Sequence, residues 1–140
     1  MRSGEDEQHA ERCTDTGPMI DVSRARANLD RRYEARRLHS TELFRAATED
    51  SRAIVEHIGS AYRPSRIFQW GSLLHAERFD ENSDIDLAVE GIVDAENFFN
   101  LLGDAMKLTH FPLDIVQIEK IEPEFAQSIR QNGRVVYERT

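Results

Sequence analysis

The stretch Ser83-Asp84-Ile85-Asp86-Leu87-Ala88-Val89 constrains this chain more than any other, because it joins an apolar, strand-like run to two carboxylates at its start. Ile85, Leu87, Ala88 and Val89 predict a buried β-strand that Gly91 ends. Side chains alternate along a strand with a rise of about 3.3 Å per residue, so Asp84 and Asp86 project to one side with Cα atoms about 6.6 Å apart. Two carboxylates held in that way repel each other unless a cation lies between them. Mg²⁺ takes few carboxylates and leaves its other positions to water and phosphate oxygens. The pair therefore predicts a divalent cation and a phosphate-bearing substrate.

The neighbouring segments extend this reading. Ile67 to Trp70 predicts an earlier strand, followed by a Gly71-Ser72 turn. Glycine there lets backbone N–H groups approach an anion closely, and the serine hydroxyl adds a donor. Leu73, Leu74 and Ala76 predict one short helical piece, then a polar loop from Glu77 to Ser83. After the Asp-x-Asp strand, Asp94 caps a helix with an apolar stripe of Phe98, Leu101, Leu102, Ala105 and Met106. Pro112 opens a third strand, Leu113-Asp114-Ile115-Val116-Gln117-Ile118, with one carboxylate among β-forming residues. A last helix has Pro123 in its first turn, buries Phe125 and Ile129 and ends near Gly133. Arg134 to Tyr137 reads as a final edge strand. Either a lone Gly-Ser or a lone Asp-x-Asp means little. A phosphate turn together with three carboxylates on neighbouring strands is hard to justify structurally.

Upstream, residues 1–20 form an acidic tail without apolar periodicity and are expected to be disordered. Residues 21–62 read as an N-terminal helical segment, and residues 63–140 as the catalytic-type domain. Up to Ser40 the helical segment has few apolar positions. Its Arg24, Arg26, Arg31, Arg32, Arg36, Arg37 and Arg45 are interleaved with Asp30, Glu34 and Glu42, the pattern of a solvated helix face; a docking surface for an acidic partner is the alternative. Ser40 or Thr41 can cap a stronger helix carrying Leu43, Phe44, Ala47, Ile54, Val55, Ile58 and Tyr62, with Gly59 and Pro64 ending it. Strands interleaved with helices predict an α/β (α+β) fold, a small mixed β-sheet covered by helices.

With 140 residues there is room for one ordinary domain and an arm. The net charge of -8 argues against a protein that holds nucleic acid chiefly by neutralising its phosphates. No apolar run approaches the ~20 residues needed to cross a bilayer, and the acidic N-terminus does not resemble a secretion signal, so a cytoplasmic location is expected. The single cysteine, Cys13, has no partner for a disulfide.

Trp70-Gly71-Ser72, then Ser83-Asp84-Ile85-Asp86-Leu87, then Leu113-Asp114-Ile115 resemble the DNA-polymerase-β-like nucleotidyltransferase superfamily. Within it, the chain is similar to the minimal nucleotidyltransferases that act as antitoxins beside small helical toxins. The resemblance covers about residues 66–138 and is carried by Gly71, Ser72, Asp84, Asp86 and Asp114. It implies that Asp84, Asp86 and Asp114 are catalytic and hold two Mg²⁺ ions, and that Gly71 and Ser72 bind the nucleotide phosphates. It further implies transfer of a nucleoside monophosphate, AMP from ATP, onto a hydroxyl of a protein partner, a helical toxin. A small-molecule or nucleic-acid nucleotidyltransferase and a non-catalytic masking module stand as alternatives. Many relatives carry an arginine and a glycine where this chain has His75 and Ala76; His75 itself reads as a surface histidine.

Overall fold

The computed structural model describes residues 21–140. The acidic tail and Cys13 lie outside the described residues. The chain divides into two units, Met1–Leu38 and His39–Thr140. In the first, Asp21 caps the start of helix α1 (Val22–Ala61), its carboxylate accepting from the backbone N–H groups of Ser23 at 3.0 Å and Arg24 at 3.3 Å. Within that unit Arg37 pairs with Glu34 one turn away, a contact of the kind that supports an exposed helix by a few tenths of a kcal/mol.

The helix passes Ser40 and Thr41 without a break, so neither residue caps a new helix. Gly59 does not end it either, because the glycine is buried inside α1 where the Tyr137 ring packs onto it. A Cβ at that position would lie 2.6 Å from the ring, and Tyr137 donates its hydroxyl hydrogen to the Gly59 carbonyl. The glycine signal in the sequence thus marks close packing and no helix end. Pro64 follows just beyond Ala61, where proline cannot continue a helix.

The second unit is built on a four-stranded sheet of order β3-β2-β1-β4, with β1 Arg66–Trp70, β2 Ile85–Glu90, β3 Leu113–Gln117 and β4 Arg134–Glu138. β1 pairs antiparallel with both β2 and β4, and β2 pairs parallel with β3. The sheet is therefore mixed, and β4 is an edge strand as its sequence predicts. The parallel crossover from β2 to β3 is made by helix α2 (Ala95–Met106), which Asp94 caps by accepting from the Asn97 N–H at 2.9 Å.

Two apolar layers flank the sheet. On one face Ile54, Val55 and Ile58 of α1 and Leu101 and Ala105 of α2 close over Ile67, Ile85, Leu87, Val89 and Ile115. On the other, Ala126 and Ile129 of helix α3 (Pro123–Asn132) cover Phe68, Ala88 and Ile118. β2 is buried on both faces, which explains its nearly unbroken apolar run. Met106 is 61% exposed and Phe125 39% exposed, so neither belongs to the core stripe its sequence spacing suggests.

The loop between Gly71 and Asp84 departs most from expectation. Two 3₁₀ turns, Gly71–Leu74 and Ala76–Arg78, replace the single helical piece. Phe79 is buried inside the stretch read as a polar loop, edge-on to Phe44 and Phe111. Asp80 and Ser83 then close a tight turn: Ser83 Oγ accepts from the Asp80 N–H at 3.0 Å, and Asp80 Oδ1 accepts from the Asn82 N–H at 2.8 Å. The loop is pinned at both ends, and β2 starts from a defined position.

Candidate active site

The sheet pairing brings the site together. Trp70, the last residue of β1, stands opposite Asp86 on β2, and Asp86 stands in register with Asp114 on β3. Residues opposite each other in neighbouring strands project to the same face, so Trp70, Asp86 and Asp114 form a row across the face that α3 covers. Asp84 lies one residue before β2 and two before Asp86.

Asp86 is the buried member of the set, with 8% of its surface exposed, whereas Asp114 is exposed. Burial disfavours its charged form, and the charges of Asp114 and Asp84 disfavour it further. Against these, the Ser72 backbone N–H donates a hydrogen bond to the carboxylate. The net effect pushes Asp86 up to about 7. The aspartates thus sense one another, and the Gly71-Ser72 turn touches the central one.

Gly71 makes this contact possible. Its φ of 76° lies in the left-handed region, and a Cβ there would land on the Asp86 carboxylate. Two separate constraints, backbone sign and space, therefore require glycine where the strand turns into the first 3₁₀ turn.

Beside the turn opens a cleft of about 450 Å³, lined by Trp70, Gly71, Ser72, His75, Arg78 and Phe125 with the last turn of α3. Trp70 and Phe125 meet edge to face at 5.3 Å between ring centroids, which accounts for Phe125 being away from the core. The indole Nε1–H of Trp70 is buried without a hydrogen-bond partner. Arg78 is exposed, and among the described residues its guanidinium has no ion-pair partner. His75 lies 3.8 Å from Glu77 and also lines the cleft. Trp70 opens the Trp70-Gly71-Ser72 stretch, whereas Phe125 and Arg78 carry no sequence motif that marks them for the site. Only the lone cation in a polar loop could have flagged Arg78.

Among the described residues, no three His, Cys, Asp or Glu side chains stand close enough together to make a ready metal cage. The chemistry of the donors nevertheless fits a hard divalent cation. They are all carboxylate oxygens, and one is held largely protonated up to neutral pH by burial and its like-charged neighbours, an effect a cation would reverse. Mg²⁺ in phosphate-handling sites is held by one or two carboxylates plus substrate phosphates and does not need an all-protein cage.

A mixed sheet with two helices on one face and one on the other, carrying aspartates on adjacent strands beside a Gly-Ser turn, defines a nucleotidyltransferase-like fold. A chain of the solved structure described as "Crystal structure of the toxin-antitoxin with AMP-PNP" shares it, with a TM-score of 0.52 and 19% identity over 62% of this chain and 73% of that chain. At that identity the likeness is one of fold. No curated protein matches the chain significantly. The family model for the polymerase beta nucleotidyltransferase domain matches residues 53–140, and the chain belongs to that family.

Proposed function

We propose that this nucleotidyltransferase moves AMP from ATP onto a hydroxyl of a partner protein, a small helical toxin, and thereby acts as its antitoxin. The observation that carries the catalytic part is the row of Asp86 and Asp114 on adjacent strands, with the Ser72 N–H on Asp86. The toxin-antitoxin structure with AMP-PNP supports the choice of nucleotide and partner.

In this reading Asp84, Asp86 and Asp114 hold two Mg²⁺ ions. The bound ions would neutralise charge on the phosphate oxygens and on the attacking and leaving oxygens. Gly71 and Ser72 take the phosphates with backbone N–H groups and the serine hydroxyl, and Arg78 supplies positive charge at the mouth of the same cleft. Trp70 and Phe125 give an aromatic wall against which the organic part of the nucleotide can pack. The acceptor oxygen bonds to the α-phosphorus as the bond to the β-phosphate breaks, and pyrophosphate leaves. Asp114, the exposed carboxylate, receives or stabilises the loss of the hydroxyl proton. Positioning and charge stabilisation carry the rate.

The test is incubation of the protein with ATP, GTP, CTP or UTP, Mg²⁺ and the product of the neighbouring gene, read by intact mass. Adenylate increments on that product are expected. Label on a small molecule or an RNA oligonucleotide instead would point to a different acceptor class. Silencing of the toxin without label would leave a non-catalytic masking role.

A further inference from the structure

On the opposite face of the sheet from Asp86, a cavity of about 350 Å³ lies between α1 and the β1–β4 pair, lined by Phe44, Thr48, Ser51, Arg52, Val55, Gln69, Leu73, Arg134 and Val136. Its composition does not match its position. A helix packed on a sheet ordinarily presents apolar side chains to it, as Ile54, Val55 and Ile58 do a turn further along α1. Here α1 contributes Thr48 and Ser51, β1 contributes Gln69, and β4 contributes Arg134 directly opposite Gln69. Ser51 is 2% exposed, and its hydroxyl and that of Thr48 are buried with no hydrogen-bond partner. Buried hydroxyls are nearly always paired, so two orphans in one cavity need a reason.

The cations give the reason a sign. Among the described residues neither Arg52 nor Arg134 has an ion-pair or hydrogen-bond partner for its guanidinium, whereas Arg45 on α1 and Arg66 on β1 are paired. Two arginine forks and two hydroxyl donors form a set with many donors and no anionic acceptor. Guanidinium geometry suits a carboxylate or a phosphate, and rotatable hydroxyls suit the remaining oxygens of a phosphate. Gln69 donates its side-chain N–H to the Leu73 carbonyl at 3.2 Å, which fixes the amide at the cavity wall. Phe44, Val55, Leu73 and Val136 complete the lining with apolar surface, and the volume lies within the range of small-ligand sites.

We infer that this cavity is a second anion site, separate from the aspartate row, that binds a phosphate group through Arg52, Arg134, Thr48 and Ser51, with the apolar walls receiving the organic body of a small phosphomonoester.

The proposal is tested on the full chain by amide and arginine Nε–H chemical shifts during titration with inorganic phosphate and, separately, with phenyl phosphate, in chelator. Residues 48–52, Gln69 and Arg134 are expected to shift with both probes, and phenyl phosphate is expected to bind several-fold more tightly. Equal binding of the two would assign the site to the free ion, the same chemistry from the other source. The Arg52→Gln and Arg134→Gln variants, each altered at an exposed side chain, should weaken binding at least tenfold singly or together, while Asp86→Asn leaves it unchanged. Shifts confined to the Gly71-Ser72 turn, no shifts at saturating probe, or unchanged affinity in both arginine variants would overturn the inference. Far-UV circular dichroism and thermal melts of the variants separate loss of the site from loss of the fold.

Discussion

Asp86 and Asp114 face each other in register across the parallel pair β2 and β3, and the first of them is buried against the Gly71-Ser72 turn. Like charges on adjacent strands are unfavourable for the fold and useful only to something that binds between them. This relationship sets the first expectation.

Asp84→Asn and Asp86→Asn should each lower nucleotide transfer by roughly 100-fold or more while the protein stays folded, since each removes one charged ligand from the proposed metal site and leaves the volume unchanged. In the Asp86→Asn protein the side-chain amide oxygen can still accept from the Ser72 N–H. Transfer rates under single-turnover conditions, with circular dichroism as the control for folding, check this. Wild-type rates in either variant would remove the aspartates from the mechanism.

In chelator, stability should depend on pH through Asp86. Its carboxyl ionises near 3.8 in the unfolded chain and near 7 in the fold, because burial and then Asp114 and Asp84 oppose the charge. Between those values the folded state binds the extra proton, so stability falls as pH rises through that window. Above pH 7 the Asp86→Asn protein is expected to exceed wild type by on the order of 2 kcal/mol, allowing for water reaching the cleft, and near pH 4 the two should converge. Urea denaturation at pH 4, 6 and 8 measures it. A gap that does not grow with pH would mean that Asp86 is not held protonated.

Gly71→Ala should cost about 1–3 kcal/mol, because alanine is strained at a positive φ and its methyl group meets the Asp86 carboxylate. Nucleotide affinity should fall as well, since the Ser72 N–H must move with the turn. Thermal unfolding and ATP titration together check this; a stable variant with intact affinity would show that the turn accommodates a methyl group without moving.

Glu90 ties β2 to its surroundings. One carboxylate oxygen accepts from Arg66 Nε at 2.7 Å, and the other accepts from Arg130 of α3 at 2.8 Å. Burial alone would raise its pKa, but the hydrogen bonds and charges of Arg130 and Arg66 outweigh burial and hold it below the usual range. Its stabilising contribution is therefore complete above the ordinary glutamate value and is lost as pH falls through the lower folded one. Glu90→Gln should cost about 1–3 kcal/mol at pH 7 and little at low pH, by chemical denaturation at the two conditions. An equal loss at both would indicate that shape, not charge, is what Glu90 supplies.

Much of the architecture follows from local pattern. Apolar, β-forming runs mark β1, β2 and β3; Asp94 and Pro123 mark the starts of α2 and α3; and the apolar run of β2 reflects burial on both faces. These signals act over a few residues, where backbone geometry and side-chain type are directly coupled. Ser40 and Gly59 mislead for the same reason. A capping residue is only a cap if the preceding residues leave the helix, and a glycine ends a helix only if nothing packs on it, as Tyr137 does here.

The chain by itself determined that Asp84 and Asp86 stand at the start of one strand and that Asp114 sits inside another, because both depend on the pattern of one segment. Tertiary structure alone decided that Asp114 lies beside Asp86, that Trp70 continues the row, and that Phe125 and Arg78 line the cleft. It alone set Arg134 opposite Gln69 over the unpaired hydroxyls of Thr48 and Ser51. Register between strands and the seating of helices come from the summed burial of residues far apart in the chain, and no local pattern contains that sum.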